Sequence, residues 1–367
     1  MSKRFTTYQI IADILSFTTS NTSLEATLSA ADVDWDAIVV HGSRQLVIPT
    51  LYCRLKQRQL LHLLPEDLDL YLHDITSQNR KRNKAILKEV TMLSTLFKKH
   101  HIEHVFLKGT ALLASGYYED IAERMIGDID ILVATKQLDK AFELLQQHSF
   151  KPLPQNFGSH YFEHKHLPRM TTNKYIAAVE LHRKLFVTYK KKELSNALVL
   201  NNKRIQNDVF VPSTQNLIEH NILNHEINDD GYRYHSMNFR TVYDTIMILK
   251  TNTLNNTQIS DVFVQFNNNK YLTNFFKKLN VFCDDFKLFF NKSANHIFTL
   301  KLKYKIIHKL WLKGAFTGHL FYIICHRLGF WISNRAYRKD LWKDRHRVFS
   351  NYRSYLSNFK FTRTQKN

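Results

Sequence analysis

Asp128 and Asp130 stand one residue apart in GDIDILV, residues 127–133, among aliphatic neighbours. Successive side chains of a strand point to opposite faces, so a strand here puts both aspartates on one face and Ile129 and Ile131 on the other. A continuous apolar run of this kind marks a strand covered on both sides. Two carboxylates buried side by side repel each other, and their burial is costly unless a cation neutralises them. Any fold this chain adopts has to bring positive charge to that one spot. The alternative is an Asp-x-Asp at a strand edge, solvated or capping the next helix.

The flanking sequence supplies candidates. Upstream, HVFLKG reads as a short strand ending in a glycine turn, followed by a helix from about Thr110 to Ser115. A glycine after a strand permits close backbone approach to a ligand, and a helix N-terminus offers free N–H groups to phosphate. Lys108 and Arg124 add positive charge. Downstream, LDKAFELLQQHSF is an amphipathic helix and NKYIAAVELHRKLFV a third strand. The strand, helix, strand, helix, strand order predicts a small mixed sheet with helices against it. Glu180 lies in that third strand with His182 on its face, and a two-metal arrangement needs such a third carboxylate from a neighbouring strand. Mg2+ suits the set, because it prefers carboxylate oxygens and completes its shell with water and substrate phosphates. Otherwise Glu180 pairs with Arg183 or Lys184 at the surface.

The rest of the chain reads as helix. YQIIADILSF, DWDAIVVHGSRQL, IPTLYCRLKQRQL and the long run from Leu68 to His100 place apolar residues at three- and four-residue spacing, with Ile86, Val90, Leu93 and Phe97 as a stripe. Pro49 and Pro65 fall where helices begin. With only 9 Gly and 6 Pro in 367 residues, long linkers and turn-rich β architectures are excluded. The expected class is α+β, predominantly helical, and the run of Asn over residues 251–269 reads as a polar loop.

LKGTALL, YYED, Arg124 and GDIDILV, followed by HLPRM and VELHRKL, resemble an uncharacterised nucleotidyltransferase family within the polymerase-β-like superfamily. HGSRQLVIPTLYCRLKQRQLLHLLPEDL is similar to that family's N-terminal helices. STQNLIEHNILNHE and MNFRTVYDTIMIL are similar to its helical part, so the resemblance runs over roughly residues 8–250. It implies a sheet of the nucleotidyltransferase type, with Asp128, Asp130 and Glu180 as catalytic ligands of Mg2+ or Mn2+. It further implies Lys108, Gly109 and Thr110 at a phosphate-cradling turn and Arg124 on a phosphate or holding the aspartates. His166, Arg169 and His182 are expected near the substrate, and Arg240 on the triphosphate with Asp244 orienting it. As an i, i+4 pair, Arg240 and Asp244 equally suit a helical ion pair. One departure is that 18 residues separate Gly109 from Asp128, where the superfamily's glycine turn closely precedes Asp-x-Asp.

Four regions follow: an N-terminal helical region (1–100), a nucleotidyltransferase core (101–210), a helical region completing the cleft (211–300) and a basic, aromatic-rich C-terminal helical region (301–367). The implied reaction moves a nucleoside monophosphate from a nucleoside triphosphate to an acceptor hydroxyl or phosphate, in a glycan or peptide pathway or on a tRNA-like RNA. Two alternatives remain: a non-catalytic protein of the same fold that binds RNA or a membrane surface, and a glycosyltransferase using Asp-x-Asp.

The net charge of +20 points to anionic partners, although an AT-rich genome also supplies lysines. Arg and Lys interleave with Tyr, Trp and Phe in the last region, which suits single-stranded RNA, an anionic membrane or plain solvent. The segment 310–333 is apolar but interrupted by Lys313, His319, His326 and Arg327, so it reads as a buried or interfacial helix and not a span. Three scattered cysteines fit a reducing compartment, and the N-terminus lacks a signal sequence. The expected location is cytoplasmic, with peripheral membrane attachment left open.

Overall fold

The computed structural model describes residues 3–154, 164–186, 194–251, 269–283 and 296–343, together with 345, 346 and 350. Most of the Asn-rich stretch 251–269 and the end of the basic tail lie outside these residues. The chain divides into two compact units, residues 1–152 with 165–311, and residues 153–164 with 312–367.

The first unit opens with five helices: α1 (Lys3–Leu15), α2 (Asn21–Leu28), α3 (Trp35–Arg44), α4 (Ile48–Gln57) and α5 (Glu66–Lys99). Ser20 and Asp34 cap α2 and α3 by accepting the backbone N–H of Ser23 and Ala37. Pro49 lies in the first turn of α4 and Pro65 immediately precedes α5, where a missing N–H costs nothing. The stripe Ile86, Val90, Leu93 and Phe97 on α5 is fully buried.

A five-stranded sheet follows, with order β1-β2-β5-β4-β3. Its strands are β1 (His104–Phe106), β2 (Asp128–Val133), β3 (Lys151–Pro152), β4 (Met170–Thr171) and β5 (Ala178–His182). β1 runs antiparallel to β2, and β2 parallel to β5. Helices α6 (Lys108–Ala114) and α7 (Leu138–Gln147) are the connections expected from sequence. β3 and β4, at the sheet's edge, were not expected. After α8 (Asn196–Asn201) comes another unexpected element, a two-stranded sheet of β6 (Arg204–Gln206) and β7 (Val209–Val211). Asn207 and Asp208 form its tip with φ of 47° and 61°, as a primed hairpin turn requires.

The remaining helices of this unit are α9 (Thr214–Leu223), α10 (Gly231–Tyr234), α11 (Phe239–Thr251), α12 (Lys270–Leu279) and α13 (His296–Lys303). Gly231 has no room for a side chain: a Cβ would come within 2.8 Å of the His225 carbonyl oxygen. Lys278, fully buried, donates to Glu226 (2.5 Å) and to the Ser236 carbonyl (2.6 Å). That pairing neutralises a lysine with no access to water.

Residues 305–311 of helix α14 (Lys305–Ser333) belong to the first unit and residues 312–333 to the second, which also holds α15 (Arg335–Lys343). In the second unit Tyr337 meets Phe330 edge-on at 5.2 Å between centroids. Of the two expectations for 310–333, a buried or an interfacial helix, the helix forms but is not buried, since Phe321 and Ile332 are each 70% exposed. Among the described residues no helix is long and apolar enough to cross a membrane.

A carboxylate site on the mixed sheet

The parallel pairing of β2 with β5 sets Asp130 directly opposite Glu180, Asp128 opposite Ala178 and Leu132 opposite His182. Ile129, Ile131, Val179 and Leu181 face the other way and are completely buried. One sheet face therefore gathers Asp128, Asp130, Glu180 and His182, while the opposite face is hydrocarbon. Asp130, Glu180 and His182 are buried, and Asp128 stands at the mouth, half-buried. Glu180 is thus an interior residue, not a partner of Arg183 or Lys184 at the surface.

Four side chains balance the carboxylates. Lys108 Nζ lies 2.5 Å from Asp130 Oδ1. His182 donates from Nε2 to Asp130 Oδ1 at 2.8 Å and lies 3.4 Å from Glu180 Oε2. Arg169 spans two acids, with Nε 2.6 Å from Glu180 Oε1 and Nη2 2.7 Å from Asp128 Oδ2. His166 Nε2 lies 3.7 Å from Glu180 Oε2, its Nδ1 bonded to the Leu167 carbonyl. HLPR and VELH therefore meet at the same carboxylates, through a bridge between His166 and His182.

The protonation preferences follow from this geometry. Burial raises Asp130, but the Lys108 ammonium and the hydrogen bond from His182 outweigh it and hold the carboxyl well below the usual range. Glu180 is likewise raised by burial and then pulled down to about 2, chiefly by His182 and Arg169. Asp128 stays above its ordinary value, because burial and the neighbouring Glu180 and Asp130 charges exceed the pull of Arg169. Burial lowers His182, and its hydrogen bonds to Asp130 and Glu180 reverse that and raise it.

The turn before β2 differs from the expectation in one respect. Gly109 does not supply a left-handed turn; Lys108 itself has φ of 52° and begins α6. Glycine at 109 instead leaves room for its neighbours, since a Cβ there would lie 3.1 Å from Ile126, a tight contact, and 3.5 Å from the Arg124 guanidinium. Thr110 is buried beside the Asp128 carbonyl, its hydroxyl 3.4 Å away.

Arg124 and Asp244 are brought together, but with each other. Arg124, 6% exposed, places Nε 2.9 Å from Asp244 Oδ1 and donates from Nη1 to the Met125 carbonyl. Asp244 also accepts from Tyr118 at 2.6 Å. Arg124 thus touches neither aspartate of β2, and of the two roles open to Arg240 and Asp244 the i, i+4 ion pair does not form among the described residues. Arg240 Nε is buried without a hydrogen-bond partner among the described residues, and burial pulls its guanidinium down to about 10.

Sequence reasoning missed two groups. Asn79 and Asn83 of α5 are buried and hold the loop leading into β2. Asn79 donates to Ala122 at 2.7 Å, and Asn83 donates to Ile121 and Arg124 at 2.5 and 2.7 Å. Arg80 grips Asp120 through Nε and Nη2 in the same loop. These polar residues interrupt an amphipathic helix, a signal visible in SQNRKRNK. Lys165 is the other omission: half-buried, it makes no side-chain hydrogen bond among the described residues, and burial followed by Lys108 lowers its pKa.

The residues fit a hard divalent cation. Asp130, Glu180 and His182 each offer a ligand atom, and the three atoms lie within 4.8 Å of one another. Carboxylate oxygens dominate that donor set, as Mg2+ and Mn2+ prefer. His182 Nδ1 is buried without a hydrogen-bond partner among the described residues. Asp128, joined to Arg169, is outside this cluster, and His182 stands in its place.

The crystal structure of an antigenic nucleotidyltransferase-like protein from Paracoccidioides brasiliensis is similar over 58% of this chain and 94% of that one, at 14% identity and a TM-score of 0.37. No curated protein matches the sequence. The pattern of the uncharacterised nucleotidyltransferases matches residues 31–273, well over half of the chain, and the protein belongs to that family.

Proposed function

We propose that this protein is a Mg2+- or Mn2+-dependent nucleotidyltransferase that moves a nucleoside monophosphate from a nucleoside triphosphate to an acceptor hydroxyl or phosphate. The observation that carries this reading is the register of Asp130 against Glu180 on neighbouring parallel strands, with Asp128 on the same face. Asp130 and Glu180, with Asp128 or His182, would hold the cation. A divalent ion so held would neutralise charge on the phosphoryl group in flight.

The protein's own groups have defined tasks. His182, fixed by its hydrogen bond to Asp130, orients that carboxylate. Glu180, kept ionised, can also take up the acceptor's proton. Lys108 and Arg169 are positioned to meet the negative charge of a triphosphate, with Lys165 and Arg240 as further cations of the first unit. The acceptor belongs to a glycan or peptide pathway or is a tRNA-like RNA.

One observation favours a second reading, a non-catalytic binding protein. Arg169 and Lys108 already neutralise the three carboxylates from within, so the buried acids do not depend on a metal for compensation. The glycosyltransferase alternative loses support, because it needs a nucleotide-binding sheet before Asp-x-Asp and the described residues up to Lys99 form only helices and short turns.

Transfer of label from α-phosphate-labelled nucleoside triphosphates into an extract serving as acceptor pool, with Mg2+ or Mn2+, tests the proposal. Asp130→Asn and Glu180→Gln are each expected to lower the rate by about a thousandfold or more, the several kcal/mol that metal-ion catalysis supplies. Unchanged transfer in both folded variants would refute it. Absence of both transfer and Mn2+ binding in the wild-type protein would favour the second reading.

A further inference from the structure

Phe321, Ile324, Leu328, Trp331 and Ile332 recur at three- and four-residue spacing along one side of α14. All five are exposed, Leu328 by 52% and Phe321 and Ile332 by 70%. Exposed apolar side chains scattered singly are ordinary, but a contiguous row over three turns marks a contact surface. From residue 305 to 339 there is no aspartate or glutamate, while Lys313, Arg327, Arg335, Arg338 and Lys339 lie in that stretch. We infer that this face of α14 docks on an anionic lipid bilayer, the helix lying in the plane of the interface.

Three occupants compete for such a surface, and its chemistry separates them. Single-stranded RNA rewards cations and aromatic rings, but Ile324, Leu328 and Ile332 offer it nothing to stack on. A second copy would bring the same cations against these cations, with no acidic side chain on the helix to answer them. A bilayer carrying anionic headgroups supplies hydrocarbon for the aliphatic row and negative charge for the lysines and arginines at once. Trp331, Trp342 and Tyr322, exposed by 45%, 73% and 61%, are the residue types that settle at headgroup level. The helix is too interrupted to span, which leaves the interface as its depth. This proposal stands apart from the nucleotidyltransferase reading and is independent of it.

Cosedimentation of the full chain with vesicles tests it. Binding is expected to vesicles of equal phosphatidylglycerol and phosphatidylcholine and not to phosphatidylcholine alone. Phe321→Glu with Leu328→Glu is expected to weaken binding by on the order of tenfold or more. Lys339→Ala with Lys343→Ala, which leaves the apolar row intact, should weaken it to a similar degree. Quenching of tryptophan fluorescence by brominated lipid should fall in Trp331→Phe. Equal binding to both vesicle types, or binding to neither, would overturn the inference. So would a dimer by light scattering that Phe321→Glu with Leu328→Glu dissociates, or binding of an RNA oligonucleotide by a chain that ignores vesicles.

Discussion

Lys108 holds a left-handed backbone, φ of 52°, that costs an ordinary side chain roughly 1–2 kcal/mol. In return its ammonium is fixed 2.5 Å from Asp130. Strain of this kind persists where the surroundings over-determine a residue, and binding and catalytic sites are the usual places. Replacing Lys108 by glycine or by alanine removes the same ion pair, so the difference between the two variants isolates the backbone. In a helix alanine is normally favoured over glycine by about 1 kcal/mol. Here the order should reverse, with Lys108→Gly more stable than Lys108→Ala by about 1 kcal/mol in urea unfolding. A more stable alanine variant would show that the left-handed turn is absent. Sequence pointed to the turn but assigned it to Gly109, because glycine is the default at positive φ. Only the packing of Ile126 and Arg124 against residue 109 reveals that glycine serves there for space.

At the level of elements, β2 and β5 were legible because their alternation leaves two carboxylates, a glutamate and a histidine at one parity within apolar runs. β3, β4, β6 and β7 have two or three residues each, too few for any periodicity to register. The hairpin of β6 and β7 did carry a signal, an Asn-Asp pair between RIQ and VFV. Helix α5 was legible in its buried stripe, but not in what its polar residues do. Asn83 of α5 is completely buried and donates to two loop carbonyls just before β2. Asn83→Ala takes the side-chain donor from the Ile121 carbonyl and leaves the Arg124 carbonyl only the longer bond from Asn79 (3.3 Å), and should cost about 1–3 kcal/mol in denaturant unfolding. Nucleotide transfer should fall with it, since that loop fixes where β2 begins. Unaltered stability would mean the loop is held by Arg80 and Asn79 alone.

On the scale of the whole molecule, partners distant in sequence were invisible. Arg124 and Asp244 lie 120 residues apart, as do Glu123 and Tyr243, whose hydroxyl donates to Glu123 at 2.6 Å. Nothing local in either segment specifies such pairs, and the i, i+4 spacing of Arg240 and Asp244 suggested a local pair that is not the one formed. Burial also sets how the molecule responds to acid. His104 is held at about 4, and His220 and His225 at about 3, all chiefly by burial, against about 6.5 for an ordinary histidine. A depressed histidine binds its proton in the unfolded chain first, so the stability it contributes is complete above pH 6.5 and is lost as pH falls through 6.5 toward 4. Glu89, pushed up to about 7 by burial, acts in the opposite sense between pH 4.5 and 7. His41 and His235, also held at about 4, join the histidine side, while Glu123, Asp128, Glu226 and Asp229, raised by burial, join Glu89; the five histidines carry the larger shifts, each contributing about 1.4 kcal/mol per pH unit. The urea midpoint should therefore drop from pH 7 to pH 4.5, and drop less in His104→Gln. A midpoint independent of pH would contradict this burial pattern.

The one-to-one pairing of Asp130 with Glu180 has a consequence for how the gene can change. The site depends on odd and even places: a single residue added inside β5 would turn Glu180 and His182 toward the hydrocarbon layer and present Val179 and Leu181 to Asp130 instead. Segments that neither belong to these strands nor hold the site are under no such arithmetic. Divergence in this protein is thus channelled into its connections, while ten or so residues of β2 and β5 keep count.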